Sequence, residues 1–275
     1  MPVLAASGLL PLWGCISWSD TVWTGPRMEM LTFDAMTARS VQVRTHNGGV
    51  RFTGHSEPMS QATVKVTKRG GGATSRDAMN ALEALHVFIE SGPDNEWRVG
   101  HRWTEPKRPH WQAHVSLHID GPAKMNLNAE THSGVINVVG AEGEVALRTY
   151  NGGIAVGGTG GPLSVETYNG KIEVDYAGTE LAVEAYNGPV QVDLTKSAGV
   201  QGKIATHNGS VDVVVSDETS AALSCRTSQG RIRVDPPLQH EEIQETSVKG
   251  VLGSGGEPLL IQTHNGGIRV RSAAG

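Results

Sequence analysis

Three copies of one phrase follow each other in this chain. They are Thr149-Tyr150-Asn151-Gly152-Gly153-Ile154-Ala155-Val156, Thr167-Tyr168-Asn169-Gly170-Lys171-Ile172-Glu173-Val174 and Ala185-Tyr186-Asn187-Gly188-Pro189-Val190-Gln191-Val192, with glycines 18 residues apart. A fixed spacing of this kind marks a short unit that cannot bury its apolar face alone and buries it against its neighbours. Eight copies align on Gly48, Gly134, Gly152, Gly170, Gly188, Gly209, Gly230 and Gly266, with intervals from Gly134 onward of 18, 18, 18, 21, 21 and 36 residues. The last interval is twice 18 and predicts a degenerate rung around Thr246 to Leu252.

The columns of this alignment carry the physics. Two residues after each glycine stand only Val or Ile, as at Ile136, Ile154, Ile172 and Val190, and two further on stand Phe52 or Val. Five residues before the glycine come Val43, Ala129, Leu147, Val165, Val183, Ile204, Cys225 and Ile261. Such alternation places one face in a core and makes Cys225 an inward small hydrophobe.

Asn-Gly between alternating strands is also a hairpin signal, so an antiparallel meander competes with a solenoid. A meander does not require the same residue type at a constant period. In a parallel solenoid each residue lies over its equivalent about 4.8 Å away, and like side chains form ladders. The expected fold is therefore all-β, a parallel β-solenoid (β-helix-like) of about 18-residue rungs. Asn151, Asn169, Asn187 and Asn208, with Asn47 and Asn265, are expected to stack at a corner, and Gly152, Gly170, Gly188 and Gly209 to supply a positive φ beside them. Between Thr and Asn runs an outward column of His46, His132, Tyr150, Tyr168, Tyr186, His207, Ser228 and His264. Two readings stand: rings stacked to shield the ladder, or a binding stripe of His132, Tyr150, Tyr168, Tyr186 and His207. Glu130, Arg148 and Glu166 alternate in sign on consecutive rungs and fix register more than stability.

With 35 glycines and only 5% aromatic residues, the composition suits many turns and thin packed layers. A formal charge of −5 without a Lys/Arg cluster gives no footprint for nucleic acid. Cys15 and Cys225 are too few for a disulfide framework, and neither has zinc-ligand spacing.

Residues 1–14 are apolar and uncharged, too short and too broken by Pro2 and Pro11 to span a membrane. Leu12-Trp13-Gly14-Cys15 resembles a lipobox, which implies a lipoprotein signal segment at 1–14 and acylation of Cys15; the competing reading is an uncleaved apolar tail. Residues 15–30 then read as a tether, 31–120 as an N-terminal β region, and 121–275 as the repeats. Within the β region, Ala62 to Thr67 reads as a strand ended by Gly70-Gly71-Gly72, and a short helix is expected at about 75–86, capped by Thr74 or Ser75. Trp111 to Ile119 alternates strictly. On a strand, the four-residue spacing of His110, His114 and His118 spans roughly 13 Å, too far for two of them to grip one ion, so no metal site is expected. No Gly-x-Ser-x-Gly, His-Glu-x-x-His or phosphate loop occurs, and neither a catalytic constellation nor a cofactor is expected.

The first β rung, the short helical insertion, the amphipathic strand and the Thr-x-Asn-Gly-x-Ile-x-Val rungs from Thr131 to Val270 together resemble the bacterial "putative adhesin" family of β-strand-repeat proteins. That resemblance implies a solenoid-like fold and a surface or envelope role, and transfers no catalytic residue. The expected function is a non-catalytic, extracytoplasmic, lipid-anchored protein in a structural or adhesion role, with cell-wall glycan or an envelope protein as partner. Two alternatives are a carbohydrate-active β-helix enzyme and a cytoplasmic self-assembling scaffold.

Overall fold

The computed structural model describes residues 21–273. Its N-terminal part comprises β1 (Val22–Trp23), β2 (Arg27–Asp34), β3 (Ser40–Asn47), β4 (Val50–His55), β5 (Gln61–Gly72), α1 (Ser75–Ala84), β6 (Leu85–Ser91), β7 (Glu96–Trp103) and β8 (Gln112–Pro122). Paired strands then follow: β9 (Asn126–Ser133) and β10 (Ile136–Val139), β11 (Val145–Asn151) and β12 (Ile154–Thr159), β13 (Leu163–Asn169) and β14 (Ile172–Tyr176). The series continues with β15 (Glu180–Asn187) and β16 (Val190–Asp193), β17 (Gln201–Asn208) and β18 (Val211–Val215), β19 (Ala221–Gln229) and β20 (Ile232–Val234). It ends with a hairpin of β21 (Gln239–Gln244) and β22 (Ser247–Leu252), and a last pair, β23 (Pro258–Asn265) and β24 (Ile268–Ser272).

Each rung gives one strand to each of two 12-stranded sheets. Pairing between rungs is parallel and in register: Ile136, Ile154, Ile172, Val190 and Val211 stand over one another in the first sheet. Ala129, Leu147, Val165, Val183 and Ile204 do so in the second. All of these are buried between the sheets, as is Cys225, whose thiol is pushed up to about 12 by burial. The parallel solenoid is thus the fold. Asn-Gly turns the chain from one sheet into the other rather than back along the same sheet.

The rungs do not stack in chain order throughout. β23 and β24 lie between β17–β18 and β19–β20, so Ile268 pairs with Val211 on one side and Ile232 on the other. Thr246 to Leu252 is not a degenerate rung: β22 runs antiparallel to β19, and β21 antiparallel to β22. The 36-residue interval is filled by an end-capping hairpin. Its outer strand is exposed throughout and carries Glu241 and Glu242, charges that discourage further pairing at an open edge. At the other end of this sheet β6 closes β7 in antiparallel fashion.

The N-terminal region differs from expectation in three respects. Residues 22–30, read as tether, are largely strand: β1 and β2 both pair with β5, and Glu29 meets the buried Lys68 ammonium at 2.7 Å. Gly70-Gly71-Gly72 does not end β5 but lies within it and seats the helix. A Cβ on Gly70 would fall 2.4 Å from the Ala78 carbonyl, so only glycine lets α1 approach this closely. The helix begins as read, with Thr74 Oγ1 accepting from the Asp77 amide at 3.1 Å, but stops at Ala84 because Leu85 is already paired with Trp103. Trp111 is buried under this helix with Ala81 and Ala84, apart from the main core. The 31–120 and 121–275 regions share both sheets, since β3 pairs with β9 and β4 with β10.

Candidate functional site

The corner between the sheets is built by three side-chain columns. Asn169, Asn187, Asn208 and Asn265 each donate an amide N–H to the carboxamide oxygen of the preceding asparagine in the stack, at 2.8, 2.9, 2.8 and 2.7 Å. Asn47 stands apart and reaches the Ala113 carbonyl at 3.4 Å. Beside this ladder runs a threonine column unassigned by the sequence reading. Thr149, Thr167, Thr206 and Thr263 donate to the carbonyls of Gly134, Gly152, Gly188 and Gly209 at 2.9–3.2 Å. Its visible signal was the Thr at the head of the repeated phrase.

The corner glycines have a different role from the one expected. Gly188 has φ +150°, but Gly152, Gly170 and Gly209 lie outside the left-handed region. What all four share is close approach: a Cβ on any of them would fall 1.9–2.1 Å from the glycine carbonyl of the neighbouring rung.

The ring column is continuous. His46, His132, Tyr150, Tyr168, Tyr186, His207 and His264 follow one another with centroids 4.6–5.1 Å apart. The three tyrosines are nearly parallel, with interplanar angles of 3° and 4°. Each interior ring therefore has both faces covered and shows solvent an edge. A flat aromatic strip for a sugar to lie on, the binding reading of these residues, is not what the stack presents. Burial, with neighbouring His132 and Lys107, holds His46 below the usual imidazole value.

Next to the rings, on the same outer face of the second sheet, runs a column of alternating charge. Arg44 meets Glu130 at 3.4 Å, Arg148 meets Glu166 at 2.6 Å, and Glu184 is met from the adjacent column by Lys203 at 2.6 Å. From β13 to β22 this face forms an open groove. Glu166, Glu184, Lys203, Arg226, Gln262 and Lys249 lie along it, Tyr168, Tyr186, His207 and His264 form one side, and Gln244, Thr246 and Ser247 of the hairpin help line it. Both groove carboxylates are held by cations. The groove escaped the sequence reading because its members come from strands brought together by the out-of-order last rung. Ser228, the break in the ring column, was the one visible sign.

His110, His114 and His118 do not converge. His114 meets Trp23 edge-on at 6.5 Å, and His118 Nε2 lies 3.2 Å from Thr53 Oγ1 and 3.4 Å from Asp120. Among the described residues no group of three His, Cys, Asp or Glu side chains is arranged to hold a metal ion. Cys15 and the 1–14 segment lie outside the described residues. Among those described, no helix is long and apolar enough to cross a membrane.

Two sheets joined at a laddered corner, with an open groove on one outer face, define a β-solenoid repeat protein. The chain belongs to the Toastrack DUF4097 family, which it matches over residues 37–271. No curated protein matches it. Among solved structures it is similar to a "putative cell adhesion protein" from Clostridium sporogenes at 12% identity, covering 90% of this chain and 100% of that one, with a TM-score of 0.39. A "putative adhesin" from Bacteroides fragilis is 7% identical over 90% and 97% of the two chains, with a TM-score of 0.39. A "putative lipid binding protein" from Parabacteroides distasonis is 11% identical over the same shares, with a TM-score of 0.36.

Proposed function

We propose that this chain is a non-catalytic binding protein of the bacterial cell envelope, lipid-anchored at Cys15, that engages cell-wall glycan or an envelope protein through the outer face of its second sheet. The observation that carries the reading is the open groove along that face, in which both carboxylates are tied up in ion pairs while polar side chains and ring edges remain available. The anchor rests on Leu12-Trp13-Gly14-Cys15. The capped end of the second sheet speaks against a scaffold that grows end to end.

The test blocks the face without presuming a ligand. With the anchor removed by Cys15→Ser, a bulky maleimide on Ser228→Cys, in the groove, is expected to abolish binding to isolated envelope, and the same label on Gln191→Cys, on the outer face of the first sheet, to leave binding intact. Buried Cys225 stays unlabelled. Equal binding of the two labelled Cys15→Ser proteins refutes the reading. Intact mass of the native protein checks the anchor: a chain retaining residues 1–14 overturns it.

A further inference from the structure

Two cations in the groove make no ion pair among the described residues. Arg226, on β19, is exposed on the outer face, one rung beyond Gln262, its register partner on β23. Lys249, on β22, is opposite Ser224 of β19 and lies on the same face. Among the described residues neither makes an ion pair, whereas the groove's acids are each already held, Glu166 by Arg148 and Glu184 by Lys203. Glu242 faces Lys249 in the hairpin register but makes no ion pair with it. One end of the groove is thus a cationic floor in a chain of net charge −5.

The ring stack ends at this place. His264 covers His207 at 4.9 Å, and the next position in the column, on β19, is Ser228. Serine has no ring to lay over the imidazole, so the outward face of His264 opens into the groove, whereas the interior rings are covered on both faces. One free ring face beside a guanidinium, with the amides of Gln262 and Gln244 and the hydroxyls of Ser228 and Ser247 around them, matches a polyhydroxylated ring that carries an anionic group. The covered tyrosines offer nothing for a run of bases to stack on, which argues against single-stranded nucleic acid. The groove's apolar lining is limited to alanines and ring edges, without the large hydrophobic anchor pocket that a protein partner's hot spot fills.

We propose that the groove binds an anionic polysaccharide, with the anionic group held by Arg226 and Lys249 and one sugar ring on the open face of His264. This rests on the binding reading above and names its ligand. The groove crosses the strands from β13 through β15, β17, β23 and β19 to β22, roughly 24 Å at strand spacing, enough for several sugar units.

Calorimetric titration of the full chain tests this with polygalacturonate, dextran sulfate and phosphomannan, which separate carboxylate, sulfate and phosphate as the recognised group, and with neutral dextran and poly-glutamate as comparisons. At least one anionic glycan is expected to bind, with dextran and poly-glutamate at least tenfold weaker. The double variant Arg226→Gln/Lys249→Gln is expected to lose at least tenfold in affinity, and Ser228→Tyr, which covers His264, to weaken binding as well. Arg51→Gln/Lys124→Gln removes the same charge outside the groove and is expected to change affinity less than twofold. Unchanged urea midpoints for all variants confirm that folding is intact. The proposal is overturned if no anionic glycan outbinds dextran, if poly-glutamate binds best, or if the Arg51/Lys124 control loses as much as the groove variant. Should the Ser228 label abolish envelope binding of the Cys15→Ser protein while Arg226→Gln/Lys249→Gln in the same background leaves binding unchanged, the anionic ligand falls and the binding reading stands.

Discussion

Replacing Gly170 with alanine probes the corner where the rungs approach most closely. The new methyl carbon would sit 2.0 Å from the Gly152 carbonyl oxygen and 2.5 Å from its carbon, where ordinary contact begins near 3.4 Å. The obstacle is backbone on both sides, so the rungs must part locally by roughly 1 Å or more. That displacement removes two bonds that hold the corner, Thr167 Oγ1 donating to the Gly152 carbonyl at 2.9 Å and the Gly152 amide donating to the Asn169 carbonyl at 2.9 Å. Overpacking costs about 1–3 kcal/mol and each lost bond about 1 kcal/mol, which gives roughly 3–5 kcal/mol. Because Gly170 lies outside the left-handed region, none of this cost is φ strain. Gly157 is the matched control: it lies in β12, where a Cβ would meet no atom within 4 Å, and alanine there is expected to be neutral or to stabilise by up to about 1 kcal/mol through the unfolded chain. Urea unfolding followed by far-UV circular dichroism reads both. A Gly170→Ala midpoint within error of wild type, or a Gly157→Ala loss of equal size, refutes the close-approach argument.

Ala185 is the gap in the threonine column, and Ala185→Thr is expected to add about 1 kcal/mol by giving the Gly170 carbonyl the hydroxyl donor that Gly152 and Gly188 have; a lower urea midpoint would contradict it. Tyr168→Ser removes two ring contacts and should cost about 1–3 kcal/mol, with Tyr168→His recovering most of it; equal losses from both would show that stacking contributes little. His46, His101 and His114 are held below the usual imidazole value chiefly by burial. The unfolded chain takes up their protons first, so stability is full above pH 6.5 and falls as pH drops below it. Urea midpoints at pH 7.5 and 5.0 should differ less in His101→Gln than in wild type, and an unchanged difference would remove His101 from the account.

The parts of the fold legible in the sequence were those in which one residue type recurs because it meets its own copy. The core columns, the asparagine ladder and the inward Cys225 are all of this kind, since parallel in-register stacking turns a spacing into a contact. The out-of-order last rung was not legible. An interval of 36 residues fits a missing rung as well as a hairpin and a return, and β23 carries the same Thr-His-Asn-Gly phrase wherever it inserts. Likewise, a column of rings reads the same in sequence whether its faces are open or covered; the 4.6–5.1 Å spacing decides that. The groove's two unpaired cations follow from the hairpin's pairing with β19, a non-local choice that no repeat encodes.

The insertion of β23–β24 between β17–β18 and β19–β20 also bears on how the chain is made. A solenoid whose rungs stack in order can close behind the ribosome, each new turn docking on the one before. Here that zippering halts after β17–β18, because the next pair out of the exit tunnel is not the next pair in the stack. β19, β20 and the hairpin have to wait, or dock and be displaced, until Pro258–Ser272 emerges to occupy the place beside β17 and β18. The stack is therefore completed from its interior, and its final strands act as a keystone whose loss exposes the edges of β17, β18, β19 and β20 at once.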